Sequence, residues 1–143
     1  MPSQINTWGA AKGSLLGGFG AGILCTGIYF IGQAAGASYV PRDPAALGSE
    51  VLAPYMPLVI SVSAAVVAFV VLALLARFAR EKAWPVFLGI SLLVFLLEAV
   101  LSILTFGDLA TIITLEIMHV PVALGIILGI HRFGIQKLGP SES

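Results

Sequence analysis

The chain has 143 residues, of which 59% are hydrophobic and only 10% are charged, whereas a soluble domain carries about 25% charged residues. Seven basic residues balance seven acidic ones, which argues against a nucleic-acid binder, and the single cysteine, Cys25, excludes a disulfide scaffold. The remaining class is a small integral membrane protein.

Four stretches are long and apolar enough to cross a bilayer, which takes about 20 residues in a helix. They cover about 13–36, 57–76, 84–104 and 109–130. Barrel strands are shorter and alternate polar with apolar residues, which these stretches do not. We therefore predict an all-α, antiparallel up-down four-helix bundle in which residues 1–143 form one transmembrane domain.

The basic residues indicate the orientation of the bundle. Lys12 precedes the first span, 77–82 between the second and third spans holds three basic residues, and Arg132 and Lys137 follow the fourth. Only Arg42 lies on the opposite side. Because basic residues collect in cytoplasmic loops, we expect both termini to be cytoplasmic in a bacterial inner membrane.

Glycines in the first and fourth spans recur at intervals of four residues. The first span has the series Gly9, Gly13, Gly17 and the pairs Gly18/Gly22 and Gly32/Gly36, and the fourth has Gly125/Gly129. Small residues at this spacing let helix backbones approach closely in lipid. The pattern fits packing within one chain and also fits a homo-oligomer interface.

The loop over 37–56 is long for so small a bundle. Asp43 followed by Pro44 is typical of a helix start, so we expect a short surface helix from Pro44 to about Leu52. The loop is either a lid over the outer face or a solvated connector. The connection near 105–108 is tight, so the third and fourth spans form an antiparallel hairpin.

Glu98, Glu116 and His119 are ionisable residues inside predicted spans, where charge is costly and often marks a functional site. Glu98 and Glu116 both lie roughly 10 Å below the outer boundary, counting 1.5 Å per residue. His119 follows Glu116 by three residues and therefore shares its helix face. Tyr29 and Gln33 of the first span lie at a similar level, so we expect all five side chains around a polar cavity in the outer half.

Two carboxylates and an imidazole in a low-dielectric site are expected to share protons as a coupled unit. This chemistry suits binding or relaying a proton, a cation or a small ligand. Di-iron bundles use Glu-x-x-His twice, whereas here it occurs once, over 116–119, so we predict no metal site within one chain. His119 could instead ligate haem, or the cluster could only stabilise the bundle.

Short motifs resemble a group of small bacterial four-span proteins known only as a domain of unknown function. The motifs are a Gly/Ala-rich first span, Ala-Leu-Leu-Ala-Arg-Phe at 73–78 and Met-His-Val at 118–120. The resemblance implies residence in the bacterial inner membrane. It implies no activity, cofactor or functional residue.

The chain lacks a nucleophile elbow and a phosphate loop, so we expect a non-enzymatic protein. Our first hypothesis is a small membrane protein, acting as an oligomer in transport, that binds or relays a proton, a cation or a small ligand. Its site comprises Glu98, Glu116, His119, Tyr29 and Gln33. The alternatives are an accessory subunit of a larger membrane complex, and a haem- or quinone-binding membrane protein. Its cofactors are unknown from the sequence.

Overall fold

The computed structural model describes residues 3–43 and 51–137. The helices are α1 (Thr7–Ala34), α2 (Met56–Phe78), α3 (Ala83–Thr105) and α4 (Leu109–Gly134), and a 3-10 turn over Arg80–Lys82 links α2 to α3. All four are long and apolar enough to cross a membrane, so the predicted all-helical four-span bundle is confirmed for the described residues.

Side-chain caps define where α1 and α4 begin. The Asn6 side chain accepts a hydrogen bond from the Gly9 amide (3.0 Å), and Asp108 Oδ1 accepts one from the Thr111 amide (2.7 Å). Each cap satisfies an amide that has no partner within its helix. Gly36, with φ +96°, follows the end of α1 in a left-handed conformation that ends many helices.

Helices α1 and α4 pack with their backbones almost in contact. Gly13 faces the carbonyl of Gly129, Gly17 faces that of Gly125, and Gly9 faces that of Phe133. The two helices are antiparallel, and these contacts recur every four residues along both of them. A side chain at these positions would overlap the neighbouring main chain, so the two backbones can approach this closely only because the residues are glycines.

A second small face of α1 packs against α2. Gly18 faces Ala65 and Gly22 faces Leu58, while the Ser14 hydroxyl donates a hydrogen bond to the Ala65 carbonyl (2.6 Å). The main glycine series of the first span is therefore used for packing within one chain. Helix α3 completes the bundle between α2 and α4 and is the least buried of the four.

A short antiparallel ribbon, which we did not predict from the sequence, joins the start of α1 to the end of α4 at one end of the bundle, which we call the inner end. Strand β1 (Ser3–Ile5) pairs with β2 (Ile135–Lys137), and the Asn6 amide continues the pairing to the Gly134 carbonyl (2.8 Å). The ribbon fixes the register of α1 on α4, so the two helix ends are held together by main-chain hydrogen bonds.

At the opposite end of the bundle, which we call the outer end, the chain that leaves α1 docks onto the turn between α3 and α4. Pro41 bridges Phe106, and Arg42 bonds through its amide to the Thr105 carbonyl (2.8 Å) and through Nε to the Phe106 carbonyl (2.9 Å). The segment 37–43 thus covers this turn. Most of the helix predicted from Pro44 to Leu52 falls on 44–50, outside the described residues.

Candidate functional site

Three ionisable side chains converge where α3 meets α4. His119 Nε2 lies 3.8 Å from Glu98 Oε2, and His119 Nδ1 lies 3.8 Å from Glu116 Oε1. The side chains are 26% (His119), 49% (Glu98) and 30% (Glu116) exposed. The imidazole therefore stands between two carboxylates, with one ring nitrogen facing each. We call these three residues the Glu–His–Glu cluster.

Local structure explains why the cluster forms. Glu116 and His119 are three residues apart on α4 and so lie on one face. The turn over 106–108 is so short that α4 runs back antiparallel beside α3. This brings Glu98 of α3 to the same depth as the two cluster residues of α4. The sequence therefore determines this convergence through one helical spacing and one tight turn.

Two atoms of the cluster are buried without a hydrogen-bond partner. They are Glu116 Oε1 and His119 Nδ1, which face each other at 3.8 Å. A buried polar atom without a partner costs about 1–3 kcal/mol. A shift of about 1 Å would bring this pair to hydrogen-bond distance, since such bonds are about 2.7–3.2 Å long. The cluster can thus form and break a hydrogen bond with little movement.

The two carboxylates do not converge on a common point. They approach opposite nitrogens of one ring, so an ion bound at Nε2 would meet Glu98 while Glu116 stayed on the far side. Among the described residues there is no group of three or more His, Cys, Asp or Glu side chains placed to hold a metal ion. The arrangement instead suits proton exchange through the ring.

A cleft of about 380 Å³ lies between α2, α3 and α4 and includes part of the cluster. Glu98 and His119 line its outer end, and Phe87 and Val71 line its inner end. The wall is otherwise almost entirely aliphatic or aromatic, apart from Ser91. We expected a polar cavity, whereas this space is apolar with one polar end.

Two of the expected site residues lie apart from the cluster. The Tyr29 hydroxyl donates to the Leu52 carbonyl (2.7 Å), and its ring stacks on that of Tyr39 at 4.2 Å. Gln33 is exposed on α1. Neither residue lines the cleft, because α1 packs mainly on α4 and α2, while the cleft is formed by α2, α3 and α4. The structure therefore does not bring these two residues together with Glu98.

A protein-family profile described as a family of unknown function (DUF6069) matches residues 6–134. The chain belongs to this family. The match covers all four helices of the DUF6069 fold and both carboxylates of the cluster, and it confirms the resemblance found in the sequence. No curated protein and no solved structure matches the chain.

Tyr39 holds the outer end of this DUF6069 bundle together, a role that we did not predict from the sequence. It is fully buried, its amide donates to Thr111 Oγ1 (2.9 Å), and its hydroxyl donates to the Tyr29 carbonyl (2.9 Å). Burial raises the pKa of the Tyr39 phenol above its ordinary value. The only sequence signal was an aromatic residue after a glycine-ended helix.

Proposed function

We propose that the chain is a membrane protein whose Glu–His–Glu cluster binds a proton and relays it between Glu98 and Glu116 through the His119 ring. The observation that carries the proposal is that each nitrogen of one imidazole faces a different carboxylate at 3.8 Å. Imidazole can accept a proton at one nitrogen and release one from the other, so it is suited to proton transfer between two flanking groups.

The surroundings support a transfer role over a purely structural one. A structural cluster is expected to have its buried polar atoms hydrogen-bonded, whereas Glu116 Oε1 and His119 Nδ1 have no such partner. Glu98 lines the cleft, and Glu116 does not. A proton that moves along the cluster would therefore pass between the cleft and the opposite side of His119.

Infrared spectroscopy of carboxyl protonation in a lipid film, recorded as a function of pH, tests the proposal. We expect the carboxyl signals removed by Glu98→Gln and by Glu116→Gln not to add up to the signal lost in the double variant, because the groups share protons. His119→Gln should uncouple them. Additive signals in all these variants would overturn the proposal.

Glu81→Gln is the matched control for this experiment. Glu81 is an exposed carboxylate in the inner turn between α2 and α3, remote from the cluster. Its removal should subtract one independent signal and leave the coupling of Glu98 and Glu116 unchanged.

The proposed setting is a bacterial inner membrane, with the basic end of the bundle in the cytoplasm. This end holds the β1–β2 ribbon and the basic residues of the turn between α2 and α3. The excess of Lys and Arg on this side supports a cytoplasmic location of both termini. Cysteines introduced at either end of the bundle would test it: a membrane-impermeant reagent added to intact cells should label only those at the end opposite the termini.

A second candidate function is that of a subunit packed in a homo-oligomer or in a larger membrane complex. The observation in its favour is that α3 is the least buried helix and carries a half-exposed Glu98. A partner helix along α3 would shield that carboxylate from lipid. Native mass spectrometry in mild detergent tests this. A chain that is only monomeric at every concentration would contradict the homo-oligomer, and a chain that purifies alone as a discrete oligomer would argue against the larger complex.

A further inference from the structure

We infer that the cleft between α2, α3 and α4 binds a lipophilic organic cation, whose charge lies beside Glu98 and competes there with a proton. The inference rests on the proposed function, because the competing proton is one that the Glu–His–Glu cluster holds. It assigns to that cluster a ligand class and a place of entry.

The shape of the cleft fits a small apolar molecule. Its volume of about 380 Å³ falls within the range of about 300–1,000 Å³ usual for ligand pockets. Its lining extends along α3 from Phe87 to Glu98, which at 1.5 Å per residue is roughly 16 Å. Such pockets are mainly hydrophobic and have a few polar groups that orient the ligand, as this one does at its outer end.

Access to the cleft is from the side of the bundle. The lining residues that are exposed lie on α2 and α3, namely Ile60 and Val67 on one helix and Ile90, Val94 and Glu98 on the other. The lining residues of α4 are buried or half-buried. The cleft therefore opens between α2 and α3, toward the hydrocarbon of the bilayer. A lipid-soluble ligand can enter by this path.

The charge of the cluster selects a cation. Two carboxylates flank one imidazole, so the cluster carries a charge of −1 when His119 is protonated and both glutamates are ionised. One further proton or one monovalent cation makes it neutral. The α2 side chains that face the cleft are apolar, and α1 carries no charged residue beyond Lys12 near its inner end. Apart from His119, whose charge is already counted in the cluster, no basic side chain of the described residues lines the cleft to oppose a cation.

Competition follows from this charge balance. A cation beside Glu98 favours the state with one proton on the cluster, and uptake of a second proton favours release of the cation. No bond is made or broken apart from those to the exchanged proton. Binding of the cation should therefore weaken as pH falls, by up to about tenfold per pH unit when one proton is displaced.

Titration calorimetry of the purified chain in lipid nanodiscs, with tetraphenylphosphonium as the probe, tests the inference. We expect saturable binding that weakens at lower pH, and a loss of affinity of about tenfold or more in Glu98→Gln, the loss expected when one partner of a desolvated charge pair is removed. Neutral triphenylphosphine oxide should bind weakly and without pH dependence. Equal binding of both probes, or cation binding that is unchanged in Glu98→Gln, would overturn the inference.

A second pair of variants tests the place of binding without changing any charge. Ala123 lines the cleft, while its neighbour Leu124 is exposed and does not. Ala123→Phe should fill the cleft and reduce probe binding, and Leu124→Phe should not. Should Ala123→Phe fail to fold, Ala123→Leu gives the same test with a smaller side chain. Unreduced binding in a folded cleft variant would contradict this site.

The two proposals can fail separately. Coupled infrared signals without cation binding would remove only the organic-cation site. Glu98-dependent cation binding with additive infrared signals would remove only the relay through His119.

Discussion

The carbonyl oxygen of Gly129 lies too close to Gly13 for a Cβ atom to be added there without a clash. This contact is with main chain, which cannot move aside as a flexible side chain could. We expect Gly13→Ala to lower the free energy of unfolding by about 1–3 kcal/mol, the usual cost of overpacking. Unfolding in detergent mixtures, followed by circular dichroism, would measure it.

Gly20→Ala is the matched control for that substitution. Gly20 lies on the same helix, but a Cβ there meets nothing within 4 Å. Alanine is the better helix former by about 1 kcal/mol, so Gly20→Ala should leave stability unchanged or raise it. Equal losses in both variants would contradict the role assigned to the α1–α4 glycine contacts.

Acid should loosen the outer end of the bundle through Asp108. Burial raises the pKa of this carboxyl, but hydrogen bonds from Ser38 (2.6 Å) and from the Thr111 amide lower it by more. The pKa of Asp108 therefore lies below its ordinary value. A lowered pKa contributes stability above the unfolded value, near pH 4, that is lost as pH falls through the folded value. In Asp108→Asn, the free energy of unfolding should therefore fall less between neutral and acid pH than it does in the wild type. An equal loss of stability at acid pH in the variant and the wild type would contradict the role of Asp108.

Alkaline pH should act at the same end through Tyr39. Because burial raises the pKa of this phenol, its contribution to stability is complete below about pH 10 and is lost as pH rises through the folded value. Tyr39→Phe should cost about 1 kcal/mol, since it removes the hydrogen bond to the Tyr29 carbonyl. It should also reduce the loss in the free energy of unfolding at alkaline pH, as measured by chemical unfolding at several pH values. Tyr55→Phe, at an exposed position, is the control and should change neither.

Cys25 should report on the packing of α1 against α4. Its thiol is buried and donates to the Met118 carbonyl at 3.2 Å. We expect alkylation by N-ethylmaleimide to be slow in the folded chain and to accelerate in Gly13→Ala, which loosens the same interface. Rapid labelling of the folded wild-type chain would show that α1 does not pack as described.

Hydropathy predicted the four helices, but several of their bounds needed cap geometry. Helix α1 begins at Thr7 because Asn6 caps it, and its first turns carry Lys12, which a search for uncharged runs excludes. Helix α4 likewise continues past His131 to Gly134. Polar residues at the ends of a span can reach the interface, so charge alone is a poor marker of where a membrane helix ends.

The cluster was predictable, and the rest of the site was not. Glu98, Glu116 and His119 converge through a helical spacing and a tight turn, both of which are local in the sequence. Tyr29 was misplaced because its partner, Tyr39, arrives through a loop whose path depends on many distant contacts. Depth along a helix can be counted from sequence, but which helices are neighbours depends on packing, here on the glycine faces of α1.

The glycine contacts between α1 and α4 also set an order of assembly. The first of the four helices to be synthesised finds its closest partner in the last, and the β1–β2 ribbon joins those same two helices. Until α4 has been inserted, the carbonyls that Gly9, Gly13 and Gly17 approach are absent, and the α4-facing side of α1 lacks its partner. During biogenesis the bundle thus closes as a ring, and α4 is the segment that completes it.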